Sequence, residues 1–304
     1  MQPKLTGLIA AAFTPMHSDG SLNLDAIGPM TEFLINEGIT GFYVCGSTGE
    51  GPLLTSEERK AVASAYITAA KGRVPIIVHV GHDSLAQAAE LAAHAQSIGA
   101  DAIAAVPPTY FGVASDDILI DCLLKITTAA PNVPFYYYHI PRLTGVNFDV
   151  LSFLEKGEQC LPTLAGIKYT APSVFEFQSL LNYKDGKYTV LFGTDEMLSS
   201  ALSIGAYGPI GSTYNFAAPL NQRIISSHTS GDADAVKAQQ YQSVKMIRML
   251  LTRYRGLPAF KAIMGLLGQE CGPTRLPLQT LKAQEIEQLK EDLTEIGFFN
   301  WGRK

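Results

Sequence analysis

The chain has 304 residues, 47% of them hydrophobic, and a formal charge of −5. That length suits one large α/β barrel with an appendage, or two modest domains. No basic block offers a footprint for nucleic acid or an anionic membrane, and no apolar run approaches the ~18 residues that span a bilayer. Nothing at the start has the layout of a signal peptide: Lys4 is followed by a short apolar stretch, Leu8 to Phe13, that ends at Thr14-Pro15. The four cysteines (Cys45, Cys122, Cys160, Cys271) form no CxxC and have no histidine at zinc-finger spacing. Buried thiols in a reducing cytoplasm are expected, with no metal, nucleic-acid or membrane partner.

Short apolar, β-branched runs recur at 7–13, 39–44, 74–80, 102–106, 133–138, 164–168, 188–192 and 206–210. Between them lie segments with helical apolar spacing, such as Leu85, Ala88, Ala89, Ala92 and Ala95. Strands alternating with helices predict a parallel sheet, and apolar runs without strict alternation predict that both its faces are covered. Gly38, Gly99 and Gly205 each stand where a helix ends and a strand begins at once, as a left-handed cap would. Eight such units predict a closed (β/α)8 TIM barrel over 1–229, since a doubly wound open sheet needs no eighth repeat. From about Ser230 the pattern is helical only. The stripe Ile286, Leu289, Leu293, Ile296 marks an amphipathic helix over 284–296, so residues 230–304 read as a C-terminal helical extension packed on the barrel.

In such barrels the chemistry sits at the C-terminal ends of the strands. Five strand ends carry polar or reactive groups here: Gly46-Ser47-Thr48-Gly49-Glu50, Tyr136-Tyr137-Tyr138-His139-Ile140-Pro141, Gly166-Ile167-Lys168-Tyr169-Thr170, Gly193-Thr194-Asp195-Glu196 and Gly211-Ser212-Thr213-Tyr214-Asn215. Lys168 ends an apolar run, where an ammonium is costly. Burial there leaves a neutral amine able to attack a ketone; the alternative is a lysine already in solvent at the strand end. The 46–51 loop lacks the lysine of a P-loop, but its glycines let backbone N–H groups converge on a carboxylate, or else form a tight turn capping the helix near Ser56. Alternation puts Tyr136 and Tyr138 on one face and Tyr137 on the other, and a phenol near a lysine can relay protons. His17, His79, His82, His94, His139 and His228 form no metal triad, and His79 reads as a hydrogen-bonded strand residue. Asp195 and Glu196 can bind a polyol, or one of them can cap a helix.

Together, in order and spacing from Leu5 to beyond Leu278, these motifs resemble the N-acetylneuraminate lyase and dihydrodipicolinate synthase family of class I aldolases. The resemblance implies that Lys168 forms an imine, Tyr138 relays protons, and Ser47 and Thr48 bind the keto-acid carboxylate and complete the relay. It assigns Thr170, Gly193, Asp195, Glu196 and Ser212 to a sugar chain, and Tyr110 to a neighbouring subunit's site in a homotetramer. Synthases of the family carry an arginine five residues after the relay tyrosine; here Leu143 stands there, and Arg142 departs from the small residue usual in lyases. The implied reaction is retro-aldol cleavage of a sialic acid, N-acetylneuraminate, to N-acetylmannosamine and pyruvate. The imine itself stabilises the carbanion, so no metal, nucleotide or vitamin cofactor is implied. The rivals are another pyruvate aldolase or hydro-lyase of the family, and a non-catalytic sugar-acid binding protein on the same barrel.

Overall fold

The computed structural model describes residues 5–302; Lys4 and the outer ends of the two expected segments, 1–4 and 303–304, lie outside them. Eight parallel strands form one sheet: β1 Ile9–Ala11, β2 Gly41–Val44, β3 Ile76–His79, β4 Ala102–Ala105, β5 Phe135–His139, β6 Leu164–Tyr169, β7 Thr189–Phe192 and β8 Ile210–Gly211. From β1 to β7 each pairs with its neighbour in sequence, and β1 pairs with β8. A parallel bridge between Phe192 and Pro209, with the Phe192 N–H donating to the Gly208 carbonyl, closes the ring into the expected (β/α)8 barrel.

The connecting helices are α1 Ile27–Asn36, α2 Ser56–Ala70, α3 Leu85–Ser97, α4 Asp116–Ala129, the short α5 Pro141–Thr144 followed by α6 Val150–Cys160, α7 Val174–Asn182, α8 Leu198–Ser203 and α9 Tyr214–Ser230. Their starts carry the residues that satisfy orphan N–H groups: Thr55 and Glu58 form a capping box on α2, and Ser84, Ser115, Asp149 and Ser173 cap α3, α4, α6 and α7. At the other ends, Gly38, Gly99 and Gly205 have φ of 85°, 79° and 99°. The next residue's N–H returns to the helix in each case, Ile39 to Leu34, Ala100 to Ala95 and Ala206 to Ala201. This is the αL cap read from the sequence.

Two apolar clusters separate along the strands by alternation. Ile9, Tyr43, Ile77, Ala102, Ala104, Tyr136, Tyr138, Leu191 and Ile210 fill the barrel interior, whereas Phe42, Val44, Ile103, Phe135, Tyr137 and Ile167 pack outward against the helices. The alanines of β4 leave the interior room for the rings of β2 and β5.

Several strands are shorter than their apolar runs. The expected 206–210 strand is ladder-paired only at Ile210–Gly211, because Gly205 ends α8 in a left-handed turn and Pro209 has no N–H to give. Pro75 trims the 74–80 run in the same way, and Gly7 (φ 77°) trims the first. Of the cysteines, Cys45 and Cys271 are buried, but Cys122 is only partly covered and Cys160 is exposed at the end of α6, a correction to the expectation of four buried thiols.

After the barrel come α10 Ala233–Arg253, α11 Leu257–Leu266 and α12 Ala283–Glu295, the last matching the amphipathic stripe read at 284–296.

Candidate active site

Lys168 and Tyr138 face each other as paired residues of β6 and β5. Both point inward and both are buried, at 4% relative exposure each. The Lys168 Nζ lies 3.8 Å from the ring centroid of Tyr43 on β2 and 4.0 Å from that of Tyr138, and those rings meet edge-on at 5.7 Å. The amine therefore sits in an aromatic slot at the barrel's C-terminal end.

Two opposing effects set its charge. An aromatic face attracts an ammonium by ~0.5–2 kcal/mol, whereas removing that ion from water without a counter-ion costs several kcal/mol. Burial wins: it lowers the Lys168 pKa to about 7, with the Asp195 carboxylate pulling weakly the other way. Asp195 has other work. Its Oδ2 accepts from the Thr213 backbone N–H (2.9 Å) and hydroxyl (2.6 Å), bracing the start of α9, while burial raises its own pKa to about 6. It does not cap the helix that follows it: α8 begins at Leu198, with Met197 at its N-cap position and no side-chain cap. A Cβ on Gly211 would lie 1.9 Å from the Asp195 Oδ1, so only glycine lets the carboxylate seat there. Glu196 is exposed, and its side chain has no partner among the described residues.

The Tyr138 phenol has its pKa raised to about 12 by burial, with the nearby Thr170 and Ser47 hydroxyls pulling the other way; the buried Thr170 hydroxyl has no hydrogen-bond partner among the described residues. The phenol is neutral near pH 7 and stands between the Lys168 amine and the Ser47 hydroxyl of the 46–51 loop. In that loop the Glu50 N–H returns to the Ser47 carbonyl and the Gly51 N–H to that of Gly46, whereas the N–H groups of Ser47 and Thr48 take no partner among the described residues. Since α2 is capped by Thr55, the loop is not that helix's cap, and its free donors are open to an anion. The Thr48 and Ser212 hydroxyls lie 2.6 Å apart, joining two residues that the sequence assigned to opposite ends of a substrate.

A cavity of about 350 Å³ opens above Lys168. All five strand-end segments contribute to its lining, with Ser47, Thr48, Tyr138, Lys168, Thr170, Gly193, Asp195, Glu196 and Ser212 among the residues that do so. A Cβ on Gly193 would come 2.1 Å from the Thr170 hydroxyl, so the absence of a side chain keeps this wall open. Arg142 and Leu143 stand on the rim, and Ile247, Leu251 and Phe260 from α10 and α11 close one side. A wider groove of about 660 Å³ beside α8 and α10 is lined by none of the strand-end segments. Tyr110 is elsewhere. Its ring is 82% exposed beside the equally exposed Phe111, on a loop that Asp83 holds by accepting from the backbone N–H groups of Thr109 and Tyr110.

Sequence reading did not single out Tyr43, Arg59 or Lys261. Tyr43 was findable, since it alternates inward on β2. The buried Arg59 donates to the carbonyls of Gly81 (2.9 Å) and His79 (2.6 Å) and lies 3.3 Å from the His79 Nδ1, placing His79 in a hydrogen-bonded position on β3. Among the described residues no group of three or more His, Cys, Asp or Glu is arranged to hold a metal ion.

Comparison with known proteins places this geometry. The model of the dihydrodipicolinate synthetase family matches residues 4–296. N-acetylneuraminate lyase A of Xenopus laevis is 37% identical over 298 residues, covering 96% of this chain and 97% of that protein. Among solved structures, the N-acetylneuraminate lyase of Aliivibrio salmonicida superposes with a TM-score of 0.95 at 39% identity, covering 98% of each chain. That of Proteus mirabilis does so with a TM-score of 0.95 at 37% identity, covering 97% of this chain and 100% of its own.

Proposed function

The chain belongs to the dihydrodipicolinate synthetase family, and on that footing we propose that it is a class I aldolase cleaving N-acetylneuraminate to N-acetylmannosamine and pyruvate through an imine on Lys168. The observation that carries this reading is the buried Lys168, which forms no ion pair among the described residues and has a pKa near 7, opposite Tyr138 on the floor of a cavity with a hydroxyl-rich wall.

The Lys168 Nζ attacks the C2 ketone of the open-chain sugar acid, and loss of water leaves a protonated imine. The C4 hydroxyl gives up its proton, the C3–C4 electron pair moves toward the nitrogen, and an enamine and the aldehyde of N-acetylmannosamine separate. Protonation of the enamine at C3 and hydrolysis release pyruvate and the free amine. The neutral Tyr138 phenol takes the C4 proton as it passes its own to the neighbouring Ser47 hydroxyl, and the reverse shift delivers that proton to C3 when the enamine is protonated, so no net charge is left in the buried slot. The unpaired N–H groups of Ser47 and Thr48 suit the substrate carboxylate. Glu196, Thr170 and Ser212 offer donors and acceptors to the sugar hydroxyls, while Asp195 shapes the wall from behind.

The reading includes a cytoplasmic homotetramer. Tyr110 and Phe111 form an exposed aromatic prominence of the kind a second subunit covers, and among the described residues no helix is long and apolar enough to cross a membrane. Light scattering on the active protein tests the assembly. The test of function is pyruvate release from a panel of sialic acids and shorter keto acids. N-acetylneuraminate should be cleaved with the highest kcat/KM and N-acetylmannosamine recovered in equal amount; preference for a short keto acid would overturn the assignment.

A further inference from the structure

We propose that the ring face of Tyr43 is a positioning element that holds the protonated imine nitrogen on Lys168 in the place where a carboxylate counter-ion would otherwise stand. The inference rests on the imine reading above. Tyr43 is 1% exposed at an inward position of β2, and the Lys168 Nζ is closer to its ring centroid, 3.8 Å, than to that of Tyr138, 4.0 Å. The ring is fixed from behind: a Cβ on Gly46 would come 2.5 Å from its Cε1, so the loop carrying Ser47 packs directly on it. The buried Tyr43 hydroxyl has no hydrogen-bond partner among the described residues, whereas the Ser47 hydroxyl lies beside the Tyr138 phenol, so the relay is assigned to Tyr138 and Ser47 and not to the Tyr43 phenol. What Tyr43 offers Lys168 is its face.

A face suits this reaction better than an acid. A carboxylate at the same distance would hold the resting lysine as an ammonium, which cannot attack a ketone. The imine, once formed, can lose its proton, and the neutral imine is a poor electron sink. A π face favours the cationic form of the imine by an amount too small to recharge the buried resting amine. As the C3–C4 electrons arrive the positive charge vanishes, so the face acts on the state before cleavage and should govern how much protonated imine accumulates. Asp195, the carboxylate whose field reaches Lys168, is already committed to Thr213.

The test keeps shape constant and changes only the ring's electrons. Tyr43→Phe, and the same position carrying phenylalanines with one, two and three ring fluorines, would be incubated with pyruvate at several concentrations and pH values. The imine would be trapped on Lys168 with borohydride. Tyr43→Phe should trap within about threefold of wild type, and the trifluorinated ring should weaken apparent pyruvate affinity about tenfold, with graded losses between. The pH at which half the imine is protonated should fall along the series. Equal trapping and an unchanged pH profile across all four rings would overturn the role of Tyr43 while leaving the imine intact. Wild-type protein that traps no pyruvate on Lys168 would overturn both the imine and this inference.

Discussion

Glu50 and Lys261 form an ion pair of 2.8 Å with side chains 0% and 1% exposed, joining the loop after β2 to α11 across most of the chain. The Lys261 ammonium also donates to the carbonyls of Thr14 (2.9 Å) and Pro273 (2.6 Å), and the second Glu50 oxygen accepts from the Arg275 backbone N–H at 2.8 Å. Glu50 itself is in the left-handed region at φ 55°, directly after Ser47, Thr48 and Gly49. The pair therefore clamps a strained corner that sets the direction of the loop's free N–H groups. Removing one partner of a buried pair strands the other's charge, so Lys261→Met should destabilise the fold by ~3–5 kcal/mol. It should raise KM for the keto acid more than it lowers kcat. Urea denaturation with steady-state kinetics checks this, and wild-type values for both would show that the clamp is idle.

Tyr136 and Tyr138 share the inner face of β5, but only Tyr138 is paired with Lys168; Tyr136 pairs with Gly166, one layer deeper. Tyr138→Phe should lower kcat ~10²-fold or more with a smaller change in KM. Tyr136→Phe should cost much less. The opposite order in kinetics would place the relay one layer down.

The depressed Lys168 pKa predicts a pH profile. Below about 7 the amine is an ammonium and cannot attack, so kcat/KM should rise through pH 7 and then level. The Tyr138 pKa near 12 places no fall below about pH 10. Stability carries the same signature. Between pH 7 and about 10.5 an unfolded lysine holds a proton that the folded one has given up. Its burial penalty is therefore complete below 7 and fades as pH rises toward 10.5. Lys168→Met should be inactive yet more stable than wild type at pH 6–7 by on the order of a few kcal/mol, with the difference shrinking by pH 10. A pH-independent difference would contradict the shift.

The barrel was legible because its signals are local. Glycine caps at Gly38, Gly99 and Gly205 and apolar runs of strand length mark each unit within about ten residues. The mouth was legible for a related reason: in a parallel barrel all strand C-termini share one end, so five polar strand ends had to converge. What was not legible depends on partners far apart in sequence. Lys261 meets Glu50 across 211 residues, and Arg59 reaches His79 and Gly81 on another strand's end. A lysine within the apolar run Leu257-Pro258-Ala259-Phe260-Lys261 signals burial but does not name its partner. The Thr48–Ser212 hydrogen bond, 164 residues apart, was invisible for the same reason.

The rim makes a prediction about substrate choice. Leu143 is 55% exposed there, and the exposed Arg142 pairs with no carboxylate among the described residues. A solvated, unanchored guanidinium recognises a second substrate carboxylate weakly. Condensation of pyruvate with aspartate semialdehyde should be negligible, and Arg142→Ala should change kcat/KM for N-acetylneuraminate less than about threefold. Glu196→Gln should weaken that kcat/KM by about tenfold, the effect expected of a charged acceptor that the bound sugar chain covers. Efficient turnover of aspartate semialdehyde, abolished by Arg142→Ala, would assign the site to the synthase chemistry instead.

The most direct test of the account is covalent. Wild-type protein is incubated with N-acetylneuraminate, reduced with borohydride, digested and mapped by mass. One reduced pyruvyl group per chain on the peptide containing Lys168, absent when Lys168 is replaced by methionine, is the predicted result. A label on any other lysine, or cleavage of the sugar acid with no trapped adduct at all, would contradict it.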